Sequence, residues 1–154
     1  MYALDKIDKQ ILARLQQDGR LTNAKLADEL SLSETPCWRR VKKLEEAGVI
    51  EGYQARLNRQ SLGFGVVAFV QLTYIAHDEE TTYAFEQVIR HCDYVLSCHN
   101  TTGEADFLLH VVACDLDDYS KFVDSVLRKL KGVSSIRSSI SLKEVKGSSQ
   151  LPVV

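Results

Sequence analysis

Between Val66 and Leu142 the spacing of apolar residues passes twice through one cycle, strand alternation, helical period, strand alternation, and few folds accommodate that order. Val66 to Thr73 alternates as a strand, Phe85, Val88, Ile89 and Cys92 recur at i, i+3, i+4 and i+7, and Val95 to Thr101 alternates again. The second cycle has a strand from Asp106 to Ala113, a helix from Leu116 to Leu130 and a strand from Val133 to Leu142. Its helix carries an apolar face of Tyr119, Phe122, Val123, Val126, Leu127 and Leu130 and stops at Lys131-Gly132. Two consecutive β-α-β halves predict a ferredoxin-like, ACT-like βαββαβ sandwich, with both helices on one face of a four-stranded sheet. Val66 to Leu72 is apolar at both alternating sets of positions, so a second copy of the sheet is expected to cover the other face.

The first sixty residues follow a helical period instead. Leu4, Ile7, Ile11, Leu12 and Leu15 predict a helix from Asp5 to Gln17, with Asp5 as its cap and Asp18-Gly19 as its stop. A shorter helix capped by Thr22 carries Leu26, Ala27 and Leu30, and Ser31-Leu32-Ser33 interrupts it. A third runs from Glu34 to Ala47, capped by Ser33 or Thr35, with Pro36 in its first turn and Gly48 at the left-handed stop. Val49-Ile50 and Tyr53 to Leu57, around a turn at Glu51-Gly52, then predict a short β-ribbon. The chain is accordingly predicted to be α+β in two domains, a winged helix-turn-helix over 1–60 and the sandwich over 66–154. Residues 61–65, with Ser61, Gly63 and Gly65, form the linker.

A net charge of −2 over 154 residues argues against a polyanion as partner until its distribution is considered. Through Gln60 there are eleven Lys/Arg against nine Asp/Glu, and from Ser61 onward eight against twelve. Arg39, Arg40, Lys42 and Lys43 lie within five residues of the third helix. A stripe of Trp38, Val41 and Leu44 is expected to face the other helices, leaving those four cations outward to meet phosphate or a guanine edge of double-stranded DNA. Ser33, Glu34, Thr35 and Pro36, at the helix start, are placed to approach base edges. Trp38 is read as a core residue.

Other chemistries fit less well. His77, His91, His99 and His110 fall in no recognisable nucleophile motif, which argues against an enzyme. A thiol- or metal-responsive DNA-binding sensor is the alternative, because His91, Cys92, Cys98 and His99 are close in sequence; Cys98 and His99 would point to opposite faces of one strand, however. No metal site or cofactor is expected. The four cysteines, Cys37, Cys92, Cys98 and Cys114, form no C-x-x-C pair and read as reduced, mostly buried thiols. With no long apolar run and no signal-like N-terminus, a cytoplasmic location is expected.

The stretch Asp18 to Asn23 and then Leu32 to Ile50, with Ser33-Glu34-Thr35-Pro36-Cys37-Trp38-Arg39-Arg40-Val41-Lys42-Lys43 at its centre, closely resembles the DNA-binding domain of the Lrp/AsnC family of transcription regulators. Thr102-Gly103-Glu104-Ala105-Asp106-Phe107 resembles the family's Gly-acidic-x-Asp-aromatic loop, and Lys143-Glu144-Val145-Lys146 its ending. The resemblance implies homodimers that associate further, commonly into an octamer, and an amino-acid effector bound between subunits near that loop. Gly103 would permit backbone approach, Asp106 would pair with an ammonium group, and backbone N–H groups with Thr101 and Thr102 would hold a carboxylate, with Glu104 counted in the same candidate site. Without the resemblance, Asp106 reads as a residue that merely stabilises a hairpin.

Overall fold

The computed structural model describes residues 3–75 and 78–153, so His77 lies outside the described residues. The chain divides into two compact units, Met1–Arg56 with Lys146–Val154, and Leu57–Val145.

The first unit holds α1 (Lys6–Gln17), α2 (Asn23–Glu29) and α3 (Glu34–Glu46). Asp5 caps α1 through a reciprocal pair: Asp8 N–H donates to Asp5 Oδ1 at 2.8 Å and Asp5 N–H donates to Asp8 Oδ2 at 3.2 Å. Thr22 Oγ1 accepts from Lys25 N–H and caps α2. Helix α2 then closes on Ser31 at φ +53°, with Ser31 N–H donating to Asp28 O and Leu32 N–H to Ala27 O. Gly48 at φ +68° ends α3 in the same way, through Val49 N–H to Leu44 O and Gly48 N–H to Glu45 O. The three helices bury Ile11, Leu12, Leu26, Ala27, Cys37, Val41 and Leu44 against one another.

The predicted ribbon does not form: residues 51–58 contain neither strand nor helix. The Tyr53 to Leu57 alternation has no partner strand and no apolar side to bury, for Tyr53 and Leu57 are both exposed. Tyr53 instead donates its hydroxyl to Glu45 Oε1 at 2.9 Å. The tail also departs from the expected boundary. Leu151 N–H donates to Gln16 Oε1, Gln16 Nε2 donates to Leu151 O, and Val153 packs on the helical core, so the last residues belong to the first unit.

The second unit contains β1 (Val66–Tyr74), α4 (Glu79–Arg90), β2 (Val95–Asn100), β3 (Phe107–Ala113), α5 (Leu116–Ser125), a 3-10 turn (Leu127–Lys129) and β4 (Val133–Ile140). Its sheet is antiparallel in the order β2-β3-β1-β4, as the doubled β-α-β pattern requires. Ala68, Val70, Leu72 and Tyr74 of β1 and Phe107, Leu109, Val111 and Ala113 of β3 pack on Phe85, Ile89, Tyr119 and Phe122. Val88, expected on that face of α4, is exposed. The predicted helix 116–130 gives way at Val126 to the 3-10 turn, whose tighter i, i+3 bonding, Leu130 N–H to Leu127 O, still turns Leu127 and Leu130 into the core.

Strand alternation sends Val67, Phe69, Leu108, His110 and Val112 to the face opposite α4 and α5; Val112 is buried there, and the other four are not. There Phe69 stacks on His110 with ring centres 5.1 Å apart, and Phe69 remains 43 % exposed.

Candidate nucleic-acid interface and ligand cleft

Helix α3 follows the short turn Leu30 to Ser33 after α2. Ser33 occupies its cap position without a side-chain hydrogen bond. Cys37, Val41 and Leu44 form its buried edge. Opposite that edge Thr35, Arg39, Lys42 and Lys43 are exposed, as are Ser33, Glu34 and Pro36 at the helix start. The face thus offers three cations and the free N–H groups of a helix N-terminus, a surface suited to phosphate and base edges.

Arg40 and Trp38 depart from expectation together. Arg40 Nη1 donates to Asp5 Oδ2 at 2.6 Å and to Asp8 Oδ1 at 2.8 Å, so its charge is spent within the unit and does not join the outward cations. Hydrogen bonds first to Asp5 and then to Asp8 raise the Arg40 pKa further. The Asp8 backbone N–H, and after it Arg40, hold the Asp5 carboxyl below the usual carboxylate range. Trp38, expected in the core, is 45 % exposed, with Lys42 Nζ 5.2 Å from its ring centre. The buried stripe is shifted one residue, from Trp38 to Cys37, whose thiol pKa is raised by burial.

In the second unit the hairpin between β2 and β3 borders an open cleft of about 310 Å³ lined by Gln71, Thr101, Thr102, Glu104, Ala105 and Leu108. Three of the five residues singled out from sequence, Thr101, Thr102 and Glu104, line it. Asp106 does not: its Oδ2 accepts from Tyr74 N–H at 2.6 Å, tying the hairpin to β1. Its backbone adds Asp106 N–H to Leu72 O and Thr101 N–H to Asp106 O, so the hairpin-stabilising reading of Asp106 describes its contacts. Gly103 adopts φ +136° with open space where a Cβ would stand, and backbone conformation rather than close approach calls for glycine.

Sequence reasoning missed Gln71 and Arg137. Gln71 faces the cleft from β1, and Arg137, paired with Gln71 in register on β4, places Nη1 3.3 Å from Glu104 Oε2. No local motif marks either one; their proximity to the loop depends on strand register. A second groove of about 430 Å³ between α4 and β2 contains Cys98, whose thiol pKa is raised first by burial and then by Glu86. Of the thiols expected to be mostly buried, Cys37 is buried, Cys92 and Cys98 are half-buried, and Cys114 is exposed. Among the described residues no three His, Cys, Asp or Glu side chains gather as a metal site, and no helix is long and apolar enough to cross a membrane.

Residues 4–51 match the family model for a winged helix-turn-helix DNA-binding domain, and residues 67–151 match that for the Lrp/AsnC ligand-binding domain. The chain is 39% identical over 150 residues to the leucine-responsive regulatory protein of Rhizobium meliloti, covering 97% of this chain and 96% of that one. It is 35% identical to the DNA-binding transcriptional activator DecR of Escherichia coli K12, over 97% of this chain and 99% of that one. A transcriptional regulator from Neisseria meningitidis, solved as its L-Met complex, superimposes with a TM-score of 0.93 at 39% identity and 97% coverage of both chains. With a helix-turn-helix unit followed by an antiparallel sandwich along nearly its whole length, this chain belongs to the Lrp/AsnC family of DNA-binding transcription regulators, which are not enzymes.

Proposed function

We propose that α3 lies in the major groove of duplex DNA with Arg39, Lys42 and Lys43 toward phosphates or guanine edges and with Ser33, Glu34, Thr35 and Pro36 at the groove floor. The observation that carries this reading is the cationic face opposite the buried Cys37, Val41, Leu44 edge. Arg40 is left out, being held by Asp5 and Asp8. Two copies pair through the open sheet face, whose Phe69 and Leu108 are apolar beside His110, and dimers associate further. A cytoplasmic location fits the reading of a DNA-binding regulator.

The effector is an amino acid, held at the cleft beside Thr101, Thr102 and Glu104, with Gly103 shaping the loop and Asp106 fixing it. A zwitterion can enter the Glu104–Arg137 ion pair, its ammonium on Glu104 and its carboxylate on Arg137. Both partners are exposed, so the pair opens at little cost. L-Met is the first ligand to try, because it occupies the Neisseria relative.

The test is a polarisation titration of labelled duplexes, selected from a random pool by the full-length protein, across a salt series with and without L-Met or an amino-acid mixture. Binding is expected to weaken steeply with salt and to change with the effector, and Glu104→Gln is expected to abolish the effector response alone. Salt-independent binding would overturn the groove assignment. An unchanged effector response in Glu104→Gln would overturn the cleft assignment.

A further inference from the structure

We propose that Trp38 is a specificity-determining residue that reads the 5-methyl group of thymine in the major groove. The inference rests on the placement of α3 in the groove and adds an apolar reader to its polar face.

The rotation of α3 is fixed by Cys37, at 0% exposure, together with Val41 and Leu44. At about 100° per residue, Trp38 is carried out of that edge and toward the side that bears Thr35, Arg39 and Lys42. Its place in the second turn puts it in the portion of a recognition helix that approaches base edges, beside the exposed Glu34 and Thr35. An indole left 45% exposed on a charged helix loses part of its favourable burial in the free protein. A surface that supplies an apolar atom restores it, and the thymine methyl is the apolar group the major groove presents.

Lys42 reinforces the placement. Its Nζ stands 5.2 Å from the indole centre and 3.9 Å from Glu46 Oε1, so the ammonium sits near both on the outward face. Both partners of Lys42 lie one helical turn away from it on its own helix, and its ion pair is exposed, so the ammonium is free to exchange Glu46 for a phosphate while the indole stays in place. The surrounding cations favour nucleic acid over an apolar protein surface as the occupant of this face.

The test uses duplexes selected by the wild-type full-length protein from a pool with a random core, remade with deoxyuridine in place of thymine. Wild type is expected to bind the thymine form about threefold to fivefold tighter, the worth of one buried methyl group. Trp38→Ala is expected to bind both forms alike, and Trp38→Phe to keep part of the difference. The slope of log K against log salt stays the same in all three proteins, because no phosphate contact is removed. Trp38 is the only tryptophan in the chain, so its emission reports directly, and it is expected to change on adding duplex at fixed protein concentration. An undiminished thymine preference in Trp38→Ala overturns the inference, as does emission that follows protein concentration but not DNA, which assigns the indole to a contact between copies. Arg39→Ala separates the two levels: a reduced salt slope with an unaltered thymine preference in Trp38→Ala leaves the groove placement standing and removes only the role of Trp38. An unreduced slope in Arg39→Ala, or failure to select any duplex, removes both.

Discussion

Arg40 Nη1 stands 2.8 Å from Asp8 Oδ1, and Asp8, 4% exposed, is the one buried charged residue among those described. The pair spans 32 residues of sequence and joins the middle of α3 to the first turn of α1. Its consequence is geometric: together with the buried Cys37, Val41 and Leu44 edge, it holds the rotation of α3 about its own axis.

Removal of Arg40 strands the Asp8 carboxylate with only the Asp5 N–H as donor. Arg40→Ala is therefore expected to lower stability by about 1–3 kcal/mol, the range for a buried polar group that loses its partner. Urea unfolding of Arg40→Ala, Asp8→Asn and the double variant checks this, and the double variant should cost less than the sum of the single ones. DNA affinity should fall in Arg40→Ala while its salt slope remains that of wild type.

Ser31 closes α2 at φ +53°, a backbone conformation in which a Cβ crowds a carbonyl and which glycine, having no Cβ, adopts freely. Ser31→Gly should stabilise the protein by about 0.5–1 kcal/mol, since it relieves that strain and keeps the closing bonds from Leu32 N–H and Ser31 N–H. A rise in thermal midpoint is the readout. A fall would mean that the serine side chain contributes more than its backbone costs.

Gly65 approaches another strand end. A Cβ there would stand 2.9 Å from the Cys114 carbonyl oxygen, and that oxygen also accepts the Gly65 N–H at 3.1 Å. The carbonyl cannot swing away without breaking the bond. Gly65→Ala is expected to destabilise by about 1–3 kcal/mol, as overpacking against backbone does, and a lowered urea midpoint with an unchanged m-value would confirm it.

Tyr53 gives a pH dependence. Although half of the residue is exposed, partial burial first, and then its hydrogen bond to the Glu45 carboxylate, push its hydroxyl pKa up to about 12 from the ordinary 10.0. Its folded pKa is thus above its unfolded one, so its stabilising contribution is complete below pH 10 and is lost as pH rises toward 12. Thermal midpoints of wild type and Tyr53→Phe should accordingly differ most near pH 9, with wild type higher, and converge or cross near pH 11.5. A gap that is constant across this range would show that the hydroxyl has the same proton affinity in both states.

The amino-acid sequence by itself determined the elements and their order. Period 3.6 through Leu4 to Leu44 and the doubled alternation through Val66 to Ile140 specify three helices and a βαββαβ sheet, because each period is fixed by backbone geometry. Caps at Asp5 and Thr22 and the stop at Gly48 were equally local, each depending on one side chain or one positive φ. The tertiary structure decided which way α3 turns. Stripes at 37, 41, 44 and at 38, 41, 44 both have helical spacing, and a one-residue shift rotates the outermost member by about 100°. Hydrophobicity favours tryptophan for the buried place; the close approach of the three helices admits the smaller cysteine at 0% exposure, and two carboxylates on α1 and its cap capture Arg40. The ribbon, the cleft partners Gln71 and Arg137, and the turn of Asp106 toward Tyr74 N–H likewise depend on which strand lies beside which, and that relation between distant residues is set only when the chain packs.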